Sequence, residues 1–379
     1  MTVSPRLATG NFLRLWASAF ALFFSFYLLL PIIPLYARTL GIPESEIGII
    51  VGFFAFTSMV VRPWAGWAAD RYGRRPLLVG GALLFAASAL LYSWSRTVGA
   101  LLLVRMVHGT GMGLYPTSAT AIVADIAPPD RRGEAMGFFG AAANLALALG
   151  PFLGIWGAER HGFPALFAAS ALAAAVSLAL TFSLSETIPE RRRVPFGLST
   201  ALSRAAVFPS VTLFCLTATY GVQIAFLPLY VRSLGGGNPG IFFLVFALIT
   251  AAIRGYAGRL SDRLGRPPVT VAGMVLAGLG TAALALGGDP LALGAAGMLY
   301  GVGFGAALPS LMAWTVDLVP PVERGKAMGT FFTAFELGIG AGAIGFGIVL
   351  GRAGFPSTFL AAGALALIGG GLGAARFRR

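Results

Sequence analysis

From Asn11 to the C-terminus the chain is one long apolar stretch after another, each followed by a short polar turn. A helix needs about 20 apolar residues to cross the hydrocarbon of a bilayer. In lipid only helices and closed barrels satisfy every backbone group. These runs are continuous, not alternating, which selects helices over a barrel. Charged residues make up 11% of the chain, against roughly 25% in a soluble domain. Spans are predicted at 12–37, 45–69, 76–94, 98–124, 132–157 and 163–184, then at 205–232, 240–261, 268–286, 290–317, 323–350 and 355–375. Twelve such spans use roughly 240–300 residues, so 379 residues leave no room for a separate soluble domain.

The net charge of +13 has a membrane meaning and not a nucleic-acid one. Most of the 27 basic residues fall in one alternate set of turns and in the two termini. Arg38, Arg96, Arg160, Arg232 and Arg352 lie in the opposite set, and Arg62, Arg105 and Arg254 lie within spans. By the positive-inside rule both termini are expected on the cytoplasmic side of the cell (inner) membrane. The single cysteine, Cys215, sits in an apolar run and allows no internal disulfide. The first apolar run leads straight into a second span, which argues against a cleavable signal.

The chain also repeats itself. Gly66-Trp67-Ala68-Ala69-Asp70-Arg71-Tyr72-Gly73-Arg74-Arg75 returns as Gly258-Arg259-Leu260-Ser261-Asp262-Arg263-Leu264-Gly265-Arg266, and 262 minus 70 is 192. At that offset Arg62 maps to Arg254, Gly109 to Gly301, Gly111 to Gly303 and Gly113 to Gly305. Asp125-Ile126-Ala127-Pro128-Pro129 maps to Asp317-Leu318-Val319-Pro320-Pro321. The expected architecture is an all-α integral membrane protein of twelve transmembrane helices in two six-helix repeats. The halves are 1–184 and 205–379, joined by a polar linker at 185–204 that carries Arg191, Arg192 and Arg193. A six-span unit repeated in parallel is a known transporter plan, with the site between the halves near mid-membrane.

Four features carry candidate chemistry. In the repeated turn, Gly66 is read as allowing a close helix approach and Gly73 as supplying the tight turn. Asp70 is read as capping or pairing with arginine, and Arg71, Arg74 and Arg75 as holding the turn on the cytoplasmic side. The second copy offers Asp262, Arg263, Gly265 and Arg266, with Pro267 in place of Arg75. In the fourth span Arg105 costs roughly 2.5–3.5 kcal/mol at a helix centre, a placement that implies a partner or a water-filled cavity. His108, three residues on, either titrates near physiological pH or hydrogen-bonds within the bundle. The fifth span carries Asn144 and then Gly150-Pro151-Phe152-Leu153-Gly154, a bend with small packing residues. The eleventh span holds Glu336, the one acid placed deep in a span, which corresponds to Asn144 in the repeat. Gln223 in the seventh span is a lone amide and a candidate cavity donor.

Gly-x-x-x-Asp-Arg-x-Gly-Arg-Arg, set between two spans and repeated, resembles the signature loop of the major facilitator superfamily. The resemblance covers essentially the whole chain. It implies that Gly66, Asp70, Arg71, Gly73 and Arg74 help to lock one access state, with Asp70 contacting the eleventh helix. Arg105-Met106-Val107-His108-Gly109-Thr110-Gly111 is similar to the family motif tied to proton coupling, with His108 where glutamine is usual. Gly150, Pro151 and Gly154 resemble its antiporter motif in part. The function implied by the resemblance is secondary active transport, expected as proton-coupled export of small amphipathic compounds, drugs or sugars. The expected partners are a small-molecule substrate, a proton and the lipid bilayer. A metabolite importer or uniporter of the same fold is the alternative, and a non-transporting receptor a remote one. Because no nucleotide-binding loop, metal-ligand cluster or catalytic triad is present in the sequence, no cofactor, nucleic acid or enzymatic activity is expected. A single chain suffices for such a cavity.

Overall fold

The computed structural model describes residues 9–128, 131–187, 203–235, 237–320 and 323–377, without the side chains of Asp70, Arg132, Arg376 and Phe377. Most of the expected linker, its three arginines and the terminal Arg6, Arg378 and Arg379 lie outside the described residues.

Every regular element among the described residues is helical. In order they are α1 (Gly10–Leu29), α2 (Ile32–Thr39), α3 (Glu44–Tyr72), α4 (Arg74–Leu91), α5 (Val98–Ile126), α6 (Arg132–Phe182), α7 (Val207–Ser233), α8 (Gly240–Leu264), α9 (Arg266–Ala283), α10 (Pro290–Asp317) and α11 (Arg324–Phe377). Among the described residues ten candidate spans are long and apolar enough to cross a membrane, α1 and α2 counting as one. Two of the helices, α6 and α11, run for 51 and 54 residues, more than twice what one crossing needs. Each turns at one glycine in the left-handed region, Gly162 at φ 81° and Gly354 at φ 76°. With ψ 168° and 175° both lie in a region essentially reserved to glycine, where an L-residue would cost about 1–3 kcal/mol. Ten such spans, two of them bent in this way, give twelve membrane segments among the described residues. The expected first span, 12–37, is itself two helices that part at Leu30–Pro31. Pro31 and Pro34 remove two backbone donors there, which breaks the hydrogen-bond ladder.

Residue contacts divide the chain into two compact units, Met1–Leu29 with Thr57–Phe196, and Leu30–Phe56 with Gly197–Arg379. In the first, α6 packs along both α1 and α4, and α4 also packs against α5. In the second, α11 packs along α7 and α9, and α10 along α8 and α9. Lipid gives helices no hydrophobic reason to associate, so small residues that permit close van der Waals contact supply it.

The repeat extends to this packing. A Cβ on Gly81 of α4 would lie 2.8 Å from the Tyr115 amide nitrogen of α5, and one on Gly273 of α9 would lie 2.8 Å from the Ala307 amide nitrogen of α10. Each of those four residues is 192 positions from its counterpart. The bends repeat as well, since 354 minus 162 is 192.

Candidate functional site

The signature turn is built first by backbone geometry. Gly73 at φ 103° and Gly265 at φ 90° each end one helix and start the next within a single residue. A side chain would be strained at either position, so only glycine makes so abrupt a turn without penalty.

In the first unit the turn is tied down from three directions. The Arg74 guanidinium forms an ion pair with Asp125 near the end of α5 and donates to the Ala121 carbonyl at 2.6 Å. Thr187 donates its hydroxyl to Asp125 at 2.6 Å. The carboxylate of Glu186 accepts the backbone amides of Arg74 and Arg75, both at 3.1 Å. These are the first two orphan donors of α4, and the negative charge also offsets two arginines placed at the positive end of a helix dipole. Arg71 is exposed, with its guanidinium 5.3 Å from the Trp67 ring and 5.6 Å from the Tyr72 ring. The side chain of Asp70 is outside the described residues. A Cβ on Gly66 would meet nothing within 4 Å, so the close helix approach expected there is not made among the described residues.

In the second unit Arg266 binds Asp317 at 2.8 Å and pairs with Asp262. The Arg74–Asp125 and Arg266–Asp317 pairs span 51 residues each, 125 minus 74 and 317 minus 266. That equal spacing is the sequence signal that could have identified Asp125 and Asp317. No acid takes the place of Glu186 among the described residues, and the start of α9 has one fewer amide to satisfy. Helix α9 begins Arg266-Pro267-Pro268, and prolines have no amide proton to satisfy. Pro268 already has a counterpart in Pro76 of α4, so the departure at Pro267 removes one of the two amides that Glu186 caps in the first unit and leaves that of Arg266.

Within the apolar body, Arg105 of α5 is 6% exposed and Glu336 of α11 is 7% exposed. Among the described residues they are the only arginine, lysine or acidic side chains in the buried class. Each lies in a different unit. Around Arg105 the first unit gathers Tyr92 and His108. The Tyr92 hydroxyl hydrogen-bonds His108 Nδ1 at 3.1 Å. The imidazole is fully buried and edge-on to Phe85, with ring centroids 4.3 Å apart, and it touches Phe26. Tyr92 is absent from the sequence-derived site because it occupies a single 3₁₀ turn, Tyr92–Trp94, after α4, and no periodicity points it at α5.

Two further candidates land in packing positions. Gly150 and Gly154 of α6 face the backbone of α1; a Cβ on Gly150 would sit 2.5 Å from Tyr27 Cβ, and one on Gly154 would press on the Leu28 carbonyl. Pro151 is buried between them. Asn144 is half-buried one and a half turns before. Gln223, expected as a cavity donor, is fully buried and donates to Thr281 of α9 at 3.1 Å. It braces the second unit internally, because nearly all of α7 is enclosed by its neighbours. Among the described residues no three His, Cys, Asp or Glu side chains converge as a metal site would require.

The family model of the Major Facilitator Superfamily matches residues 15–253 and 210–379. The chain belongs to the major facilitator superfamily. An uncharacterized MFS-type transporter of Methanocaldococcus jannaschii is 27% identical over 352 residues, covering 89% of this facilitator and 91% of that protein. The staphylopine export protein of Staphylococcus aureus is 26% identical over 376 residues, 94% of each chain. The quinolone resistance protein NorA of the same species is 26% identical over 250 residues, 61% of this facilitator and 64% of that protein. The fold is shared with the solved human organic anion transporter MFSD10, at a TM-score of 0.72 and 22% identity over 98% of this facilitator and all of that chain. It is shared too with the nucleoside transporter NupG, at a TM-score of 0.81 and 16% identity over 97% of this facilitator and all of that chain. This facilitator is a multi-pass membrane transporter, and its substrates are small molecules.

Proposed function

We propose that this facilitator exports small amphipathic compounds, drugs or sugars in exchange for protons, by alternating access. The observation that carries the coupling is the burial of one acid and one base, Glu336 and Arg105, in separate units of an otherwise apolar body. A charge held in an apolar interior is costly unless it is paired or neutralised. Burial favours the protonated carboxyl and a neighbouring cation the ionised one. Rocking that changes the surroundings of Glu336 therefore changes whether it holds a proton. Arg105 supplies the fixed positive charge against which proton and substrate compete.

The outward direction is supported by the staphylopine export protein among the relatives and by the Gly150-Pro151-Gly154 seam, which fastens α6 to α1. The arginine-rich turns and both termini are assigned to the cytoplasmic face of the cell membrane. The moving parts are the halves 1–184 and 205–379 about the linker 185–204, working within a single chain. His108 and Asn144 belong to the coupling region, and Gly66, Asp70, Arg71, Gly73, Arg74, Asp262, Arg263, Gly265 and Arg266 to the gates.

The test is transport of a panel of amphipathic dyes in proteoliposomes under an imposed pH gradient. Glu336→Gln should abolish accumulation driven by the gradient and leave dye exchange without a gradient intact. Gradient-driven accumulation that survives in Glu336→Gln would remove Glu336 as the proton carrier.

A further inference from the structure

The two copies of the signature helix end differ on one face. On α8, Tyr256, Arg259, Leu260 and Arg263 line a recess of about 230 Å³. Their spacing (i, i+3, i+4, i+7) places all four on one side of the helix. That side is turned away from the unit's interior, since α8 buries Phe242, Phe243, Phe246, Thr250, Ala257 and Ser261 instead. Tyr256 is 60% exposed, and both arginines are exposed. Among the described residues neither arginine makes an ion pair, because the neighbouring Asp262 and Asp317 are both held by Arg266.

Further along α8, away from the turn, the same face continues through Leu248 (56% exposed) and Ala252. The face therefore reads, in order, as aliphatic residues, an aromatic with a hydroxyl, and two guanidinium groups. That is the sequence of environments that a phospholipid presents from its acyl chain to its headgroup. Tyrosine is favoured at the headgroup level of a membrane, and guanidinium forks match phosphate oxygens.

The geometry points to a binding site on α8 for the phosphate of a negatively charged phospholipid, held between Arg259 and Arg263 with the acyl chain lying along Leu248. The occupant is a lipid and not a free anion, because half of the recess and all of its continuation are apolar. The site is confined to the second unit. At the 192-residue offset the first unit has Trp64, Trp67 and Arg71 in place of Tyr256, Arg259 and Arg263. There Trp67 replaces one guanidinium and packs against the other, 5.3 Å from it.

The experiment is native mass spectrometry of the purified full chain, released from detergent with equal amounts of phosphatidylglycerol and phosphatidylcholine of identical acyl chains. The wild-type protein should retain one more phosphatidylglycerol than phosphatidylcholine. Arg259→Gln and Arg263→Gln should each weaken that retention by about fivefold. Arg71→Gln should leave it unchanged, and millimolar inorganic phosphate should not compete. Melting temperatures in detergent check that all variants are folded, and Arg263→Lys, which keeps the charge, should restore most of the binding. Equal retention of the two lipids, equal loss in Arg71→Gln, or displacement by inorganic phosphate would each overturn the assignment.

Discussion

The two arginine–aspartate pairs that close the signature turns are related by the repeat, yet they should not be equally strong. Arg74 and Asp125 have side chains only 15% and 30% exposed, and Arg74 also holds a backbone carbonyl. In the second unit Arg266 is 24% exposed, but its partners Asp317 and Asp262 are 53% and 63% exposed. A charge-assisted hydrogen bond shielded from solvent contributes about 1.5–3 kcal/mol, whereas an exposed ion pair contributes about 0.2–1 kcal/mol. Double-mutant cycles give the coupling free of other losses. Arg74→Gln with Asp125→Asn should show a coupling of about 2 kcal/mol, and Arg266→Gln with Asp317→Asn should show less than about 1 kcal/mol. The assay is reversible unfolding in mixed micelles, followed by a probe placed within each unit because a chain of two units need not unfold in one step. Raising the salt from about 0.1 M to 1 M shortens the screening length from about 10 Å to 3 Å, which should erode the second coupling more than the first. A second coupling equal to or larger than the first, or a first coupling that vanishes in salt, would refute the reasoning from exposure.

Gly154→Ala should lower the melting temperature by an amount equivalent to about 1–3 kcal/mol of overpacking, since its methyl would press on the Leu28 carbonyl, while Gly137→Ala on the same helix meets open space and should not. Equal melting of the two variants in a thermal-shift assay would show that α1 and α6 do not cross so closely. Tyr92→Phe should cost about 1 kcal/mol in unfolding measurements by removing the hydroxyl that bonds His108, and a variant as stable as the parent would show that this bond does not hold the site together.

Much of the architecture was legible because the physics behind it acts along the chain. Apolar length is read residue by residue, and a duplicated gene leaves its offset in turn glycines such as Gly73 and Gly265. What could not be read depends on which way a helix face points. When every face is apolar, nothing in the sequence aims Gln223 at Thr281 instead of a cavity, or Tyr92 at His108. Asp70 drew attention because it stands in the motif, while the acid that holds Arg74 stands 51 residues away, at the end of another helix. The bends at Gly162 and Gly354 were hidden for a different reason. A turn was visible at each place, but a chain that turns within one residue and continues as helix looks the same in sequence as one that stops and starts again.

The unequal starts of α4 and α9 bear on how the polypeptide could be cut in two. Helix α4 borrows its N-terminal cap from Glu186, beyond the end of α6, whereas at the start of α9 Pro267 removes one of the two donors that Glu186 satisfies. Co-expressed fragments should therefore assemble when the break falls after Thr187. A break a few residues earlier, placed before Glu186, would leave the first fragment with an uncapped helix and an unbraced Asp125. Helix α9 takes no carboxylate from across the break, so the position of the nick matters for the start of α4 and not for that of α9.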